Sequence, residues 1–451
     1  MSFSIDKQTI SDLELFSDKD NVSSIFQYYD RTITRGGSIV LYKLFQSPFT
    51  DIEILETRKQ EIVFFTSLDV VLELNRRQYE YIEYYLAIQR SPLRRHFLDA
   101  IRDSLSDKLK PTNDYYTIKE GIIHVLEVLS IVKTFLNKID NSQIPYKPGE
   151  VFKSVRLFLE DDLLNKYIAE PPNSLKRLKP KIINRLDHFF RSKAKLQLRE
   201  TLDMIYRIDV LQTMASLVAT KGFSIPEYID GTGPVFYVED GYHPLLETPV
   251  ANSFCFQNDG ALCFLTGPNM SGKSTFLKSI SLFVYLSHIG IPVPAKSFRT
   301  SIFNGLLTSI NISDSISQGH SHFYSEVQRI KEVAQELENN KHVMVVLDEL
   351  FRGTNIKDAF DGTLMVIKSM SKIEGSCFLV SSHILEVAEE LKESGNIDFK
   401  CFESVLYNGH PEYDYKLKEG ITVERTGMQI IREEGIEEIL KRVLTKQFLK
   451  P

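Results

Sequence analysis

Gly267-Pro-Asn-Met-Ser-Gly-Lys-Ser-Thr275 is the stretch that decides how this chain reads. It fits the spacing G-x-x-x-x-G-K-[ST], and its setting agrees: Ala261-Leu-Cys-Phe-Leu265 ahead of it predicts a strand, and Phe276 to Leu286 behind it predicts a helix. Glycines at 267 and 272 let the backbone curl so that successive N–H groups face one anion. The helix that follows adds the positive end of its dipole. The pattern predicts a phosphate cradle built from Gly267, Pro268, Asn269, Met270, Ser271, Gly272, Lys273, Ser274 and Thr275. Within it Lys273 reaches the β- and γ-phosphates of ATP and Ser274 holds Mg2+. The competing reading is a Gly-containing turn that matches by chance, and the flanking strand and helix weigh against it.

A second motif follows downstream. Val343-Met-Val-Val-Leu-Asp-Glu349 is an apolar strand ending in two carboxylates. In phosphate-loop ATPases the aspartate at such a strand end holds the magnesium shell, and a following glutamate orients and deprotonates the attacking water. Asp348 and Glu349 fit those roles, against the plainer reading of a buried strand with an acidic turn. The next apolar run, Phe378-Leu-Val-Ser-Ser-His383, brings His383 to a strand end where it can sense the γ-phosphate. Between them, Ser313-Asp-Ser-Ile-Ser-Gln-Gly-His-Ser-His-Phe-Tyr-Ser-Glu326 is a polar loop leading into a helix near Phe323. Ser321 and the N–H groups of that helix start can receive a phosphate, including one on a facing subunit; an N-capped helix accounts for the same residues without function.

Composition narrows the class without naming a partner. The 451 residues suffice for two or three domains, and 43% apolar residues build ordinary cores. A net charge of −6 provides no global attraction to nucleic acid or anionic lipid, so DNA contact requires a local basic face. Cys255, Cys263, Cys377 and Cys401 lack C-x-x-C spacing, which indicates neither a disulfide framework nor a zinc site. The start of the chain does not read as a signal peptide and no run of about 18 apolar residues occurs, so no membrane association and a cytoplasmic location are expected.

Along the chain, apolar residues up to about Thr220 recur mostly at helical spacing. In Tyr28 to Asp51, Gly36 and Gly37 interrupt the helical pattern, Pro48 stops it, and Asp51 begins another helix with Ile52, Leu55 and Ile62 on its apolar side. From Asn173 onward Lys176, Arg177, Lys179, Lys181, Arg185, Arg191, Lys193, Lys195 and Arg199 gather with Asp187 as the one acidic residue among them. They are either a DNA-phosphate face or a solvated helix face. After Lys221 the pattern shifts to short apolar runs broken by Gly and Pro, then to strands alternating with helices. The expected fold class is α+β multidomain: an all-α unit over 1–225, then an α/β ATPase unit with a mainly parallel sheet over 226–451.

These residues carry a family resemblance. Thr266 to Thr275 resembles the TGPNMGGKST of MutS-type DNA mismatch-repair ATPases, and Asp348-Glu-Leu-Phe-Arg-Gly-Thr-Asn355 resembles their DEIGRGTS. Tyr242-His-Pro244 resembles their RHP, Ser317-Gln-Gly-His-Ser-His-Phe323 their SGRSTF signature, and Tyr415-Lys-Leu-Lys-Glu-Gly420 with Gly427 their YKV-x-x-G and later glycine. Arg35-Gly-Gly37 through Asp51 resembles the start of their lever domain. The resemblance implies a lever/core domain with the clamp reduced or absent, a short form without the mismatch-reading and connector domains. It also implies ATP hydrolysis at composite sites of a homodimer, where His320, Ser321 and Phe323 of one subunit cover the nucleotide of the other. DNA, mismatched or branched, is the implied partner, with other repair proteins downstream, and Lys176, Arg177, Lys193, Lys195 and Arg199 are the candidate DNA contacts. Phe158-Leu-Glu160 spells the family's mismatch wedge but sits in a helical stretch, and Glu247-Thr-Pro-Val-Ala-Asn252 has Pro249 and Val250 where the family often stacks an aromatic on adenine. The alternative is a nucleotide-switched dimeric scaffold that regulates a protein partner without touching DNA.

Overall fold

A computed structural model describes residues 3–16, 23–89, 91–93, 113–139, 145–231, 233–256, 262–310, 322–407, 410–422 and 435–448. Two compact units emerge, one made of 1–28, 48–56 and 221–451, the other of 29–47 and 57–220.

In the first unit the strands in chain order are β1 (Ser4–Ile5), β2 (Glu227–Tyr228), β3 (Phe236–Gly241), β4 (Asn252–Cys255), β5 (Leu262–Thr266), β6 (Ser297–Thr300) and β7 (Gly305–Ser309). They continue with β8 (Val343–Asp348), β9 (Cys377–Ser381), β10 (Ile397–Cys401), β11 (Ser404–Tyr407), β12 (His410–Tyr413) and β13 (Lys418–Glu419). The main sheet has the order β1-β7-β8-β9-β5-β10-β13. All of its pairings are parallel except β10 with β13. Strands β5, β7, β8 and β9 are buried along their whole length, which is why they read as unbroken apolar runs rather than alternating ones. Phe264, Val345, Phe378 and Val380 share a core with Ile367, Val387 and Leu391 from the helices Ile356–Met370 and Leu385–Leu391. The intervening residues Leu265, Val346 and Leu379 point to the other face and are equally buried. Helix Lys273–His288 packs against β7 and β8. A smaller sheet, β2-β6-β3-β4, and the β11-β12 hairpin complete the described sheet structure of this unit.

The sheet edge is built by residues that the helical pattern groups with the N-terminal half. β1 pairs in parallel with β7, Ser4 opposite Gly305. Asp12, buried behind it, accepts from the Thr308 hydroxyl at 2.7 Å and the Ile310 N–H at 2.9 Å. A two-residue strand and a six-residue helix are too short to show a period, so sequence alone does not separate them from the helical half.

Among its described residues the second unit has helices joined by loops and no strand. In Asn113–Lys138 the buried positions Ile118, Ile122, Val125, Leu129, Val132 and Leu136 form one stripe at spacings of four and three. Gly36 and Gly37 do not interrupt a helix here; they form the first turn of Arg35–Phe45. Thr34 caps that helix, its hydroxyl accepting from the Gly37 N–H at 2.9 Å. The glycines are there for proximity: a Cβ on Gly36 would lie 2.4 Å from the Tyr206 ring, and one on Gly37 2.5 Å from Asp209 Oδ2. Asp209 in turn accepts from the Thr34 N–H at 2.8 Å, the Thr34 hydroxyl at 2.6 Å and the Ile33 N–H at 3.1 Å. Phe158 lies in the last turn of helix Tyr146–Leu159 with Phe158 and Leu159 both buried, a packing position rather than a wedge.

Candidate functional site

Three strands end side by side. β9 lies between β5 and β8, with Asp348 opposite Ser381 and Leu265 opposite Ser381 in register, so the segments after all three strands emerge at one edge of the sheet. Ligand sites of open parallel sheets form at such carboxyl ends.

After β5, residues 267–272 turn tightly before the helix Lys273–His288. Met270 has φ 68° and Gly272 φ 100°, both left-handed, and a Cβ on Gly267 would press within 3.0 Å of the Phe402 carbonyl oxygen. Lys273 folds back over this turn, its Nζ donating to the carbonyls of Gly267 at 2.8 Å and Pro268 at 3.0 Å. Burial pulls its pKa below the ordinary lysine value despite the opposing pull of Glu349 and Asp348. The Ser271 hydroxyl is buried and has no hydrogen-bond partner among the described residues. Asn269 and Met270 are exposed at the tip, Pro268 is buried and Thr275 half-buried. A buried ammonium resting on its own loop, an unpartnered hydroxyl and a backbone too close for side chains together suit an anion of phosphate type.

The carboxylates meet this turn from the other side of β9. Ser274 Oγ donates to Asp348 Oδ2 at 2.5 Å, and the Ser381 hydroxyl donates to Asp348 Oδ1. A hydroxyl and a carboxylate converging in this way form an all-oxygen donor set that suits Mg2+. Glu349 has φ 49°, and its N–H donates to the Ser381 carbonyl at 3.0 Å. Its carboxylate lies 3.8 Å from Lys273 Nζ, 2.9 Å from Arg352 Nε and 3.4 Å from His383 Nδ1. Burial raises the Glu349 pKa, but the His383 hydrogen bond and the Arg352, His383 and Lys273 charges outweigh it and hold the carboxyl below its ordinary value. A cleft of about 490 Å³ opens beside the turn, lined among others by Tyr242, Leu246, Val250, Asn252, Lys273 and Tyr415.

The family model for MutS domain V matches residues 263–447, the span that carries the turn, both carboxylates and His383. Over that span the chain is similar to the MutS family. Among its MutS relatives, a DNA mismatch repair protein MutS of Bacillus licheniformis is 28% identical over 299 residues, covering 63% of this chain and 33% of the relative. A MutS of Persephonella marina is 23% identical over 350 residues, 75% of this chain and 39% of the relative. The DNA mismatch repair protein MSH3 of Arabidopsis thaliana is 26% identical over 310 residues, 65% of this chain and 27% of the relative. The chain therefore spans about a third of the length of the MutS relatives it matches.

The structure brings together Lys273, Ser274, Asp348, Glu349 and His383. His320 and Ser321 lie outside the described residues. Phe323 is in the first turn of helix His322–Asn339 and packs on Phe351, ring centroids 5.9 Å apart. In the second unit Lys176, Arg177, Lys193, Lys195 and Arg199 are all exposed, Lys193 in a π-helical segment, Phe189–Lys193. Arg191 leaves the basic cluster: its Nε and Nη2 donate to Asp187 at 2.7 Å each, and Asp187 also accepts from the Tyr85 hydroxyl at 3.0 Å. That pair is structural, since a buried carboxylate must be matched by charge and hydrogen bonds. The sequence alone gives no individual task to Ser381, Arg352 or Tyr415. Arg352 was visible inside the Asp348–Asn355 motif but given no task; Ser381 is an ordinary strand-end serine until the register sets it opposite Asp348.

Proposed function

We propose that this chain binds and hydrolyses ATP, with magnesium, and couples that cycle to holding and releasing DNA. The observation that carries the reading is the Ser274–Asp348 hydrogen bond with Glu349 beside Lys273, which joins both halves of a phosphate-loop ATPase site. Lys273, N–H groups of the loop 267–272 other than Pro268, and the N-terminus of the 16-residue helix behind them hold the phosphates. Ser274 and Asp348 would hold magnesium, which when bound neutralises charge developing on the phosphoryl oxygens.

Glu349 orients the attacking water. A carboxyl held below its ordinary value is ionised at neutral pH but is a weak proton acceptor. In a loose phosphoryl-transfer transition state little proton abstraction is required, so orientation is the larger share of its task. His383 and Arg352 fix the carboxylate in place. Products are ADP and inorganic phosphate.

The MutS and MSH3 names of the relatives, both DNA mismatch repair proteins, support DNA as partner over a purely protein-binding scaffold. The exposed Lys176, Arg177, Lys193, Lys195 and Arg199 are the proposed phosphate contacts. Homodimerisation with Ser321 and His320 reaching the other copy's nucleotide, and handover to further repair proteins, complete the proposal. The direct test is hydrolysis by purified variants. Lys273→Ala is expected to weaken nucleotide binding, and Glu349→Gln to keep binding while lowering turnover by about 10² or more. Wild-type turnover in Glu349→Gln would reject the assignment of the water-orienting residue.

A further inference from the structure

Glu326 sits on helix His322–Asn339 and is 4% exposed. Its Oε1 accepts from the backbone N–H of Arg352 at 3.2 Å and its Oε2 from that of Gly353 at 3.5 Å. A buried carboxylate that receives backbone N–H groups helps hold the turn that donates them, and this turn carries Glu349.

That turn is one which the chain does not hold by local preference. Glu349 at φ 49° and Phe351 at φ 61° are both left-handed without being glycine. Such backbone persists only when its surroundings over-determine it. The surroundings are visible: Phe351 is pressed between Phe323, one turn before Glu326 on the same helix, and Gly362, where a Cβ would stand 3.0 Å from the Phe351 ring. The residue whose N–H Glu326 receives is also the residue whose guanidinium pairs with Glu349, Arg352 Nε to Glu349 Oε2 at 2.9 Å. A continuous path therefore runs from the Glu326 carboxylate through the Arg352 backbone and side chain to the Glu349 carboxylate.

We infer that Glu326 is a positioning residue for hydrolysis: it holds the turn 349–353 so that Glu349 faces the nucleotide. The inference rests on the ATPase reading above and deepens it. Glu326 does not touch the reacting atoms, so its loss acts on turnover and not on nucleotide affinity.

Glu326→Gln keeps size and one acceptor oxygen but sets an NH2 against a backbone donor; Glu326→Ala removes both acceptors. Turnover is expected to fall about 10-fold in Gln and about 10²-fold in Ala, the scale of a misplacement near 1 Å, with KM unchanged. Binding of a fluorescent ATP analogue stays at the wild-type level, and far-UV circular dichroism shows Glu326→Gln folded even if Glu326→Ala is not. The decisive measurement is the double variant: Glu326→Gln in a Glu349→Gln background lowers turnover no further, because both act through one group. Wild-type turnover in Glu326→Gln, or losses that multiply in the double variant, overturns the inference. Wild-type turnover in Glu349→Gln alone rejects the Glu349 assignment itself, a separate failure that takes this inference with it.

Discussion

Asp209→Ala probes the helical unit where its sequence is least self-explanatory. The carboxylate is 2% exposed and accepts from three donors. Two of these, the N–H and the hydroxyl of Thr34, are buried, while the third, the Ile33 N–H, belongs to an exposed residue that water can reach. Leaving a buried donor without an acceptor costs about 1–3 kcal/mol, so the two buried ones set a range of about 2–6 kcal/mol. The Thr34 hydroxyl also caps helix Arg35–Phe45 through the Gly37 N–H, and a loosened cap adds up to about 1 kcal/mol. Against this stands relief from keeping an ionised carboxylate in a buried place, which returns part of the loss. The expected destabilisation is about 3–4 kcal/mol for Asp209→Ala, and about 2 kcal/mol for Asp209→Asn, which keeps one acceptor. Urea unfolding followed by far-UV circular dichroism reads it as a shift of midpoint at unchanged slope. A loss below about 1 kcal/mol in Asp209→Ala would refute the reasoning, because it would mean that the Thr34 donors find water or another acceptor in the folded protein.

Replacing Lys193, Lys195 and Arg199 together by Ala should weaken duplex DNA binding evenly across sequences and reduce the slope of log K against log salt by about 2–3, near 0.9 per phosphate contact; an unchanged slope returns these residues to the solvent. Mixing a Lys273→Ala chain with a Ser321→Arg chain, each poorly active alone, should restore part of the ATPase by forming one intact site per heterodimer, whereas full activity of a strictly monomeric protein at high dilution excludes shared sites. His288 is fully buried, its Nδ1 bonded to the Val284 carbonyl at 2.8 Å and its Nε2 to the Phe303 N–H at 3.0 Å, and burial lowers its pKa to about 4. Because the folded value lies below the ordinary 6.5, stability from the neutral ring is complete above about pH 6.5 and is lost as pH falls toward 4. The melting temperature of the wild type should drop across that window, and more shallowly in His288→Gln; equal slopes would count against it.

The sequence by itself determined which residues form the candidate phosphate site and the class of the unit that carries it. Phosphate-cradling geometry depends on residues within one short turn, so Gly267 to Thr275 is legible as a contiguous pattern, and a strand buried on both faces declares itself as an unbroken apolar run such as Val343–Leu347. Only tertiary structure decided which groups surround those residues. The Ser274–Asp348 contact spans 74 positions and the Ser381–Asp348 contact 33, separations set by strand order and register, which no local period encodes. Gly36 and Gly37 read as breakers because a lone sequence shows the missing side chain but not the Tyr206 ring and Asp209 carboxylate that fill its place. Arg191 reads as one more surface cation until Asp187 and the Tyr85 hydroxyl are found beside it in the interior. Charge and glycine are visible in one dimension, whereas what a charge is paired with, and what a glycine makes room for, is fixed by elements that meet only when the chain has folded.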